Sequence, residues 1–241
     1  MKILSVGNSF SQDAHKWLHK LAKINGYDIE TVNLFIGGCS LETHWQNVTE
    51  NNPYYDLELN GNSGERKISI DEALKMDKWD IITLQQVSQL SGLPETYEPY
   101  LSNLANLVRK VQPHAKLYLH QTWAYETDSQ HDGFINYHHN QTEMYHCIQS
   151  TTEKAARSIH AVIIPVGRAI QALRETVAEF DYKNNGISLC RDGFHLSLDY
   201  GRYAAAATWL HTVTGARIQT TAFEDFNFNL LKKIIAVIND L

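Results

Sequence analysis

Short apolar runs alternate along the chain with longer stretches in which apolar residues recur every three or four positions. That is the pattern of repeated strand–helix units and a parallel sheet. Lys2–Gly7 (KILSVG) predicts a first strand that ends in a glycine turn. Asp13–Asn25 follows with Ala14, Trp17, Leu18, Leu21 and Ile24 at helical spacing. Ile29–Ile36, ending in Gly37-Gly38, predicts strand two; Trp79–Leu84, Lys116–His120 and His160–Pro165 predict strands three to five. Leu101, Leu104, Leu107, Val108 and Val111 predict a helix that stops before Pro113. Glu143–Ser158, Ala169–Phe180, Tyr200–Thr214 and Leu230–Asn239 predict the remaining helices.

Two segments break the alternation. Within residues 46–77, Asn60-Gly61-Asn62-Ser63-Gly64 separates Tyr54–Leu59 from Arg66–Ile70, which predicts a β-hairpin inserted into the core pattern. Trp123–His139 is rich in aromatics, acids and histidines without periodicity and predicts a long loop after strand four, a common place for function. No repeat or low-complexity linker divides the 241 residues, so a single domain over 1–241 is expected.

Composition narrows the partners. A net charge of −6 with no Lys/Arg run is the wrong surface for nucleic acid or an anionic membrane, and a neutral, hydroxyl-rich substrate suits it better. No run reaches the roughly 18 apolar residues of a membrane span. Met1 leads straight into the first strand without a charged leader. The compartment stays open, cytoplasmic or, with a signal peptide removed, secreted or periplasmic. Cys39, Cys147 and Cys190 lack C-x-x-C spacing and are expected as isolated thiols.

Open parallel sheets bind ligands beyond the carboxyl ends of their strands, and two motifs fall there. In Gly7-Asn8-Ser9-Phe10-Ser11, a serine after strand one would present its hydroxyl for attack and its N–H toward a developing oxyanion. The plain alternative is that Ser9 or Ser11 merely caps the next helix. In Arg191-Asp192-Gly193-Phe194-His195, a carboxylate three residues before a histidine can hold the imidazole in the tautomer that accepts a serine proton. The alternative there is a turn aspartate beside a packed histidine.

Together, in this order, Gly7-Asn8-Ser9 and Asp192-Gly193-Phe194-His195 followed by Leu196-Ser197 resemble the first and last blocks of the SGNH (GDSL-like) hydrolases. The resemblance implies a three-layer, flavodoxin-like α/β/α sandwich with a five-stranded parallel sheet. It also implies a cofactor-free serine esterase with catalytic Ser9, His195 and Asp192. Short O-acyl groups, chiefly acetyl, on a small-molecule or glycan ester are the implied substrates. The family draws oxyanion donors from a glycine after strand two and an asparagine after strand three. Gly38, or Gly37 one register away, matches the first. The usual G-x-N-D is replaced by Leu84-Gln85-Gln86-Val87-Ser88, so Gln85 or Gln86 is expected to donate. Asn8, Trp123 and Tyr125 are expected to contact substrate. His131, Asp132, His138 and His139 lack metal-ligand spacing, and no metal is expected. A non-catalytic glycan-binding module of the same fold is the rival expectation. A flavin or nucleotide protein is disfavoured by the absence of G-x-G-x-x-G or a P-loop pattern.

Overall fold

Strand β1 (Lys2–Gly7) lies at the centre of the sheet in the structure, a computed structural model describing residues 1–241. Ile3 packs into one buried apolar cluster and Leu4 and Val6 into another, as period-two alternation demands of a strand covered on both faces. The chain continues through α1 (Ser9–Ile24), β2 (Glu30–Phe35), α2 (Leu41–Thr49), β3 (Tyr55–Leu59), β4 (Asn62–Ile68), α3 (Ile70–Met76), β5 (Ile81–Leu84), α4 (Tyr100–Val111), β6 (Lys116–His120), α5 (Gln141–Ser158), β7 (Val162–Ile164), α6 (Val166–Thr176), α7 (Tyr200–Thr214) and α8 (Phe228–Asn239). Helices α1, α6, α7 and α8 pack on the Ile3 face, while α2, α3 and α4 pack on the Leu4 face.

The sheet is a seven-stranded mixed sheet in the order β4-β3-β2-β1-β5-β6-β7, not the five-stranded parallel one expected. The difference comes from the hairpin. β2, β1, β5, β6 and β7 pair in parallel, and β3 adds antiparallel to the free edge of β2, with Leu59 opposite Val32 and Leu57 opposite Leu34. An uncovered edge strand invites association with other chains. Here the new edge is β4, whose residues Asn62–Lys67 are exposed and polar or charged apart from Gly64. Asn60 and Gly61 turn the hairpin with φ of 51° and 75°, the positive pair that a two-residue Asn-Gly turn supplies. The end of α2 and all of α3 also lie within residues 46–77, so that segment is more than a hairpin.

One level of the sheet is polar although it is buried. Glu58, Asn33, Ser5 and Thr83 lie side by side across β3, β2, β1 and β5, and α1 covers them. Ser11 Oγ donates to Asn33 Oδ1 at 2.7 Å, and Gln12 Nε2 donates to Glu58. Thr83 donates to Ser5 Oγ, which in turn bonds His15 Nε2, both at 2.8 Å. Buried polar groups are costly unless paired, so a slide of α1 by one residue would break the whole row. The row therefore fixes where the N-terminus of α1 sits. Gly7 is needed for this contact, because a Cβ there would stand 2.1 Å from Ser11 Oγ. Cys39, Cys147 and Cys190 are free thiols.

Candidate active site

After β1 the chain crosses to β2 on one side, and β5 pairs on the other. The crevice between those outgoing loops is the ligand position of an open α/β sheet. Ser9 is the first residue of α1 at that point, and Asn8 is its N-cap. Asn8 Oδ1 accepts the Phe10 N–H at 3.0 Å, and Ser11 Oγ accepts the Asn8 N–H at 3.1 Å. This capping box leaves the Ser9 hydroxyl out of the capping work, so the alternative in which Ser9 is the cap does not hold. As the first helical residue, Ser9 also has an N–H without an intrahelical acceptor.

The hydroxyl is engaged from the far end of the chain. Arg191–His195 forms a tight turn closed by a bridge between Cys190 and Leu196 and by the Arg191 N–H to His195 O bond at 2.9 Å. Gly193 takes φ +85° there and packs against Ser129, which would stand 3.0 Å from an added Cβ. Asp192 Oδ1 accepts the His195 N–H, Asp192 Oδ2 meets His195 Nδ1 at 2.7 Å, and His195 Nε2 meets Ser9 Oγ at 2.9 Å. Partial burial works against the Asp192 charge. The His195 ring and the His195 and Phe194 N–H groups outweigh it and hold the carboxyl below its usual range. Fully buried Asp13, in the second turn of α1, clamps this turn in place by accepting the Leu196 N–H at 2.9 Å and contacts from Arg191 and Arg202.

Ser9 and His195 open into a cleft of 380 Å³ whose walls include Asn8, Gly37, Gly38, Gln89, His131 and Arg191. Gly38 follows β2 with φ +66°, a left-handed turn at the rim. The structure therefore brings Ser9, His195, Asp192, Gly38, Gly37 and Asn8 together, but leaves Gln85, Gln86, Trp123 and Tyr125 out of the cleft lining.

Gln85 and Gln86 turn inward. Gln85 Nε2 donates to Asn8 Oδ1 at 2.6 Å, and Gln86 Nε2 donates to Thr96 while its Oε1 accepts the Leu41 and Val87 N–H groups. Both side chains are buried, and neither lines the cleft. Trp123 is fully buried, stacked on Phe10 at 4.1 Å, with its indole N–H given to Phe194 O. Tyr125 is equally buried and bonded to Ser88 Oγ. These aromatics lie behind the cleft wall, and neither lines the cleft. Asn8 borders the cleft, but its amide is spent on the cap, on Gln85 and, through Nδ2, on Cys39 O at 3.0 Å.

That last bond ties the Ser9 turn to the Gly37-Gly38 turn, and Gln85 supports it. Asn8 Oδ1 already accepts a backbone N–H, so Gln85 must present Nε2 to it and Oε1 to His120. His120 Nδ1, 2.9 Å away, must then carry a proton.

Gln89, Arg191 and Asp13 carry no role in the sequence reading, and His131 enters it only within a histidine-rich stretch that lacks metal-ligand spacing. Gln89 lies in a 3₁₀ turn (Ser88–Leu90) past β5, with no intramolecular partner for Nε2. Its backbone O accepts from Asn136 and Tyr137, and Gly133 permits the approach, since a Cβ there would sit 2.2 Å from Gln89 Cβ. His131 packs between Tyr125 and Phe194, and burial lowers its pKa. Its Nδ1 accepts the Gly133 N–H at 3.0 Å, which leaves the proton of the neutral ring on Nε2. The signal for Gln89 was a third Gln a few residues on, visible only once the strand end is known.

No curated protein matches the chain. Among solved structures, a DUF4886 family protein from Bacteroides uniformis is 38% identical over 100% of this chain and 93% of its own, with a TM-score of 0.92. A candidate SGNH hydrolase from Slackia heliotrinireducens shares the fold at 20% identity, covering 88% and 98%, with a TM-score of 0.62. An acetyl-xylooligosaccharide esterase from Geobacillus does so at 13% identity, covering 94% and 95%, with a TM-score of 0.54. The α/β architecture is thus that of the SGNH hydrolases. The model of a domain of unknown function, DUF4886, matches residues 2–235, and the chain belongs to that family.

Proposed function

We propose that this protein is a serine esterase that hydrolyses short-chain O-acyl esters, with acetyl on a carbohydrate as the leading substrate class. The observation that carries this is the unbroken Ser9–His195–Asp192 line, at 2.9 and 2.7 Å, opening into a cleft beside a helix N-terminus. Ser9 Oγ attacks the ester carbonyl carbon as its proton passes to His195 Nε2. Asp192 holds His195 in the accepting tautomer and stabilises the imidazolium. The oxyanion is met by the N–H groups of Ser9 and Gly38 and by Gln89 Nε2, which takes the place first assigned to Gln85 or Gln86. His195 then protonates the leaving alcohol, and water, deprotonated by the same imidazole, releases the acid and restores Ser9.

Two facts support the substrate class. Only four of the fourteen residues lining the cleft are hydrophobic, which suits a small acyl group on a hydroxyl-rich alcohol better than a fatty chain. The Geobacillus esterase that acts on acetyl-xylooligosaccharides has the same fold, an analogy of architecture.

A fluorophosphonate probe tests the reading, because it reacts only with an activated serine. Native protein is expected to gain one adduct, mapped to Ser9. Failure to label native protein would remove the esterase and leave a glycan-binding module. Gln89→Ala is expected to lower kcat by about 10²- to 10³-fold with little change in KM, the effect of losing one oxyanion donor. An unchanged kcat would take Gln89 out of the hole.

A further inference from the structure

The cleft has an unusual charge for this chain. The sequence holds 27 Asp and Glu against 21 Lys and Arg, yet none of the fourteen lining residues is acidic and one of them is Arg191. Asp192 stands outside the lining, with its carboxylate committed to His195 and to backbone N–H groups.

Arg191 is only partly used by the protein. Its Nη1 contacts both oxygens of Asp13, at 3.0 and 3.1 Å, and also Leu196 O. Nε and Nη2 make no intramolecular hydrogen bond, and the side chain is 30% exposed. Nor does Asp13 depend on Arg191 for a counter-charge. Arg202 Nε lies 2.8 Å from Asp13 Oδ1, so two guanidiniums share that one buried carboxylate. Arg191 borders the cleft that holds Ser9, and the Nε–Nη2 edge of its planar guanidinium remains free to bind a carboxylate through two parallel N–H···O bonds.

We propose that Arg191 determines specificity by binding a carboxylate on the substrate, so that the preferred esters are acidic ones. The carboxylate sits either on the alcohol, as in an O-acetylated uronic acid, or on the acyl group, as in a hemisuccinate. This rests on the esterase reading and refines its substrate class from neutral to anionic. The role is binding alone, with Ser9, His195 and Asp192 performing the chemistry.

Two matched ester pairs test it and separate the two sources: O-acetyl glucuronic acid against O-acetyl glucose, and p-nitrophenyl hemisuccinate against p-nitrophenyl butyrate. Native protein is expected to favour the acidic member of one pair by about 10- to 100-fold in kcat/KM, the worth of a charge-assisted contact. The preference should sit mainly in KM and shrink as salt is raised from about 0.01 to 1 M, where the screening length falls from roughly 30 to 3 Å. Arg191→Gln should bring the ratio within that pair close to one. The salt response of native protein is an independent check if that variant folds poorly. Equal rates within both pairs would overturn the assignment while leaving the esterase intact. Inertness toward all four esters, with no fluorophosphonate labelling, would overturn the esterase reading and this proposal with it.

Discussion

Ser9→Ala is expected to lower kcat for p-nitrophenyl acetate by about 10⁴- to 10⁶-fold while leaving the melting temperature almost unchanged. The two halves of that result have separate causes. In the proposed mechanism the hydroxyl is the attacking atom, and the remaining N–H donors and substrate contacts would retain only a residual acceleration once it is gone. Its structural work is slight, because Asn8 caps α1 and Ser11 completes the box. A serine that truly capped the helix would cost about 0.5–2 kcal/mol on replacement by alanine. Kinetics and calorimetry on one variant therefore separate nucleophile from cap. His195→Ala should reduce kcat by a similar factor, and the double variant should be little worse than either single one, since the groups act as a unit. Additive losses would mean that Ser9 and His195 do not share a proton.

The same pair of residues shows how much was legible in the sequence. Gly7-Asn8-Ser9 and Asp192–His195 are short local patterns beside a strand end and a turn, and local geometry suffices to orient them. The hairpin was legible from Asn60-Gly61. Its docking on β2 was not, since that depends on which sheet edge is open, a property of the whole topology. Gln85 and Gln86 misled because a strand's last residues and those just past it alternate sides. Gln85 reaches beneath Asn8 and Gln86 beneath α2, and one further 3₁₀ turn is needed before Gln89 faces the cleft. Trp123 and Tyr125 misled for a related reason. The backbone after β6 stays inside the protein for several residues, covered by the Asp132–Tyr137 turn and by Phe194. Type and spacing do not reveal whether an aromatic after a strand forms a wall or stands behind one. Asp13 and Arg191, 178 positions apart in sequence, meet only through the fold.

The histidines outside the cleft lead to the second large expectation, a steep loss of stability in mild acid. His15, His44 and His120 are buried, and burial lowers each pKa to about 3. In each ring one nitrogen is bonded, to Ser5, Tyr55 or Gln85, and the other has no partner. Protonation would place an N–H where nothing accepts it, and at His120 the relay through Gln85 to Asn8 already fixes the existing proton on Nδ1. The unfolded chain takes up these protons near pH 6.5, so between that value and about 3 the unfolded state binds more protons than the native one. Stability is then full above pH 6.5 and falls as pH drops through this window. By pH 5 each histidine should have cost about 2 kcal/mol, roughly 6 kcal/mol together, a large part of an ordinary domain's stability. Urea unfolding at half-unit steps from pH 7.5 to 5 measures the slope, whose limit is three protons. His120→Asn, whose amide N–H can still donate to Gln85, should bring that limit to two, and a flat profile across the range would show that these rings do charge in the native protein.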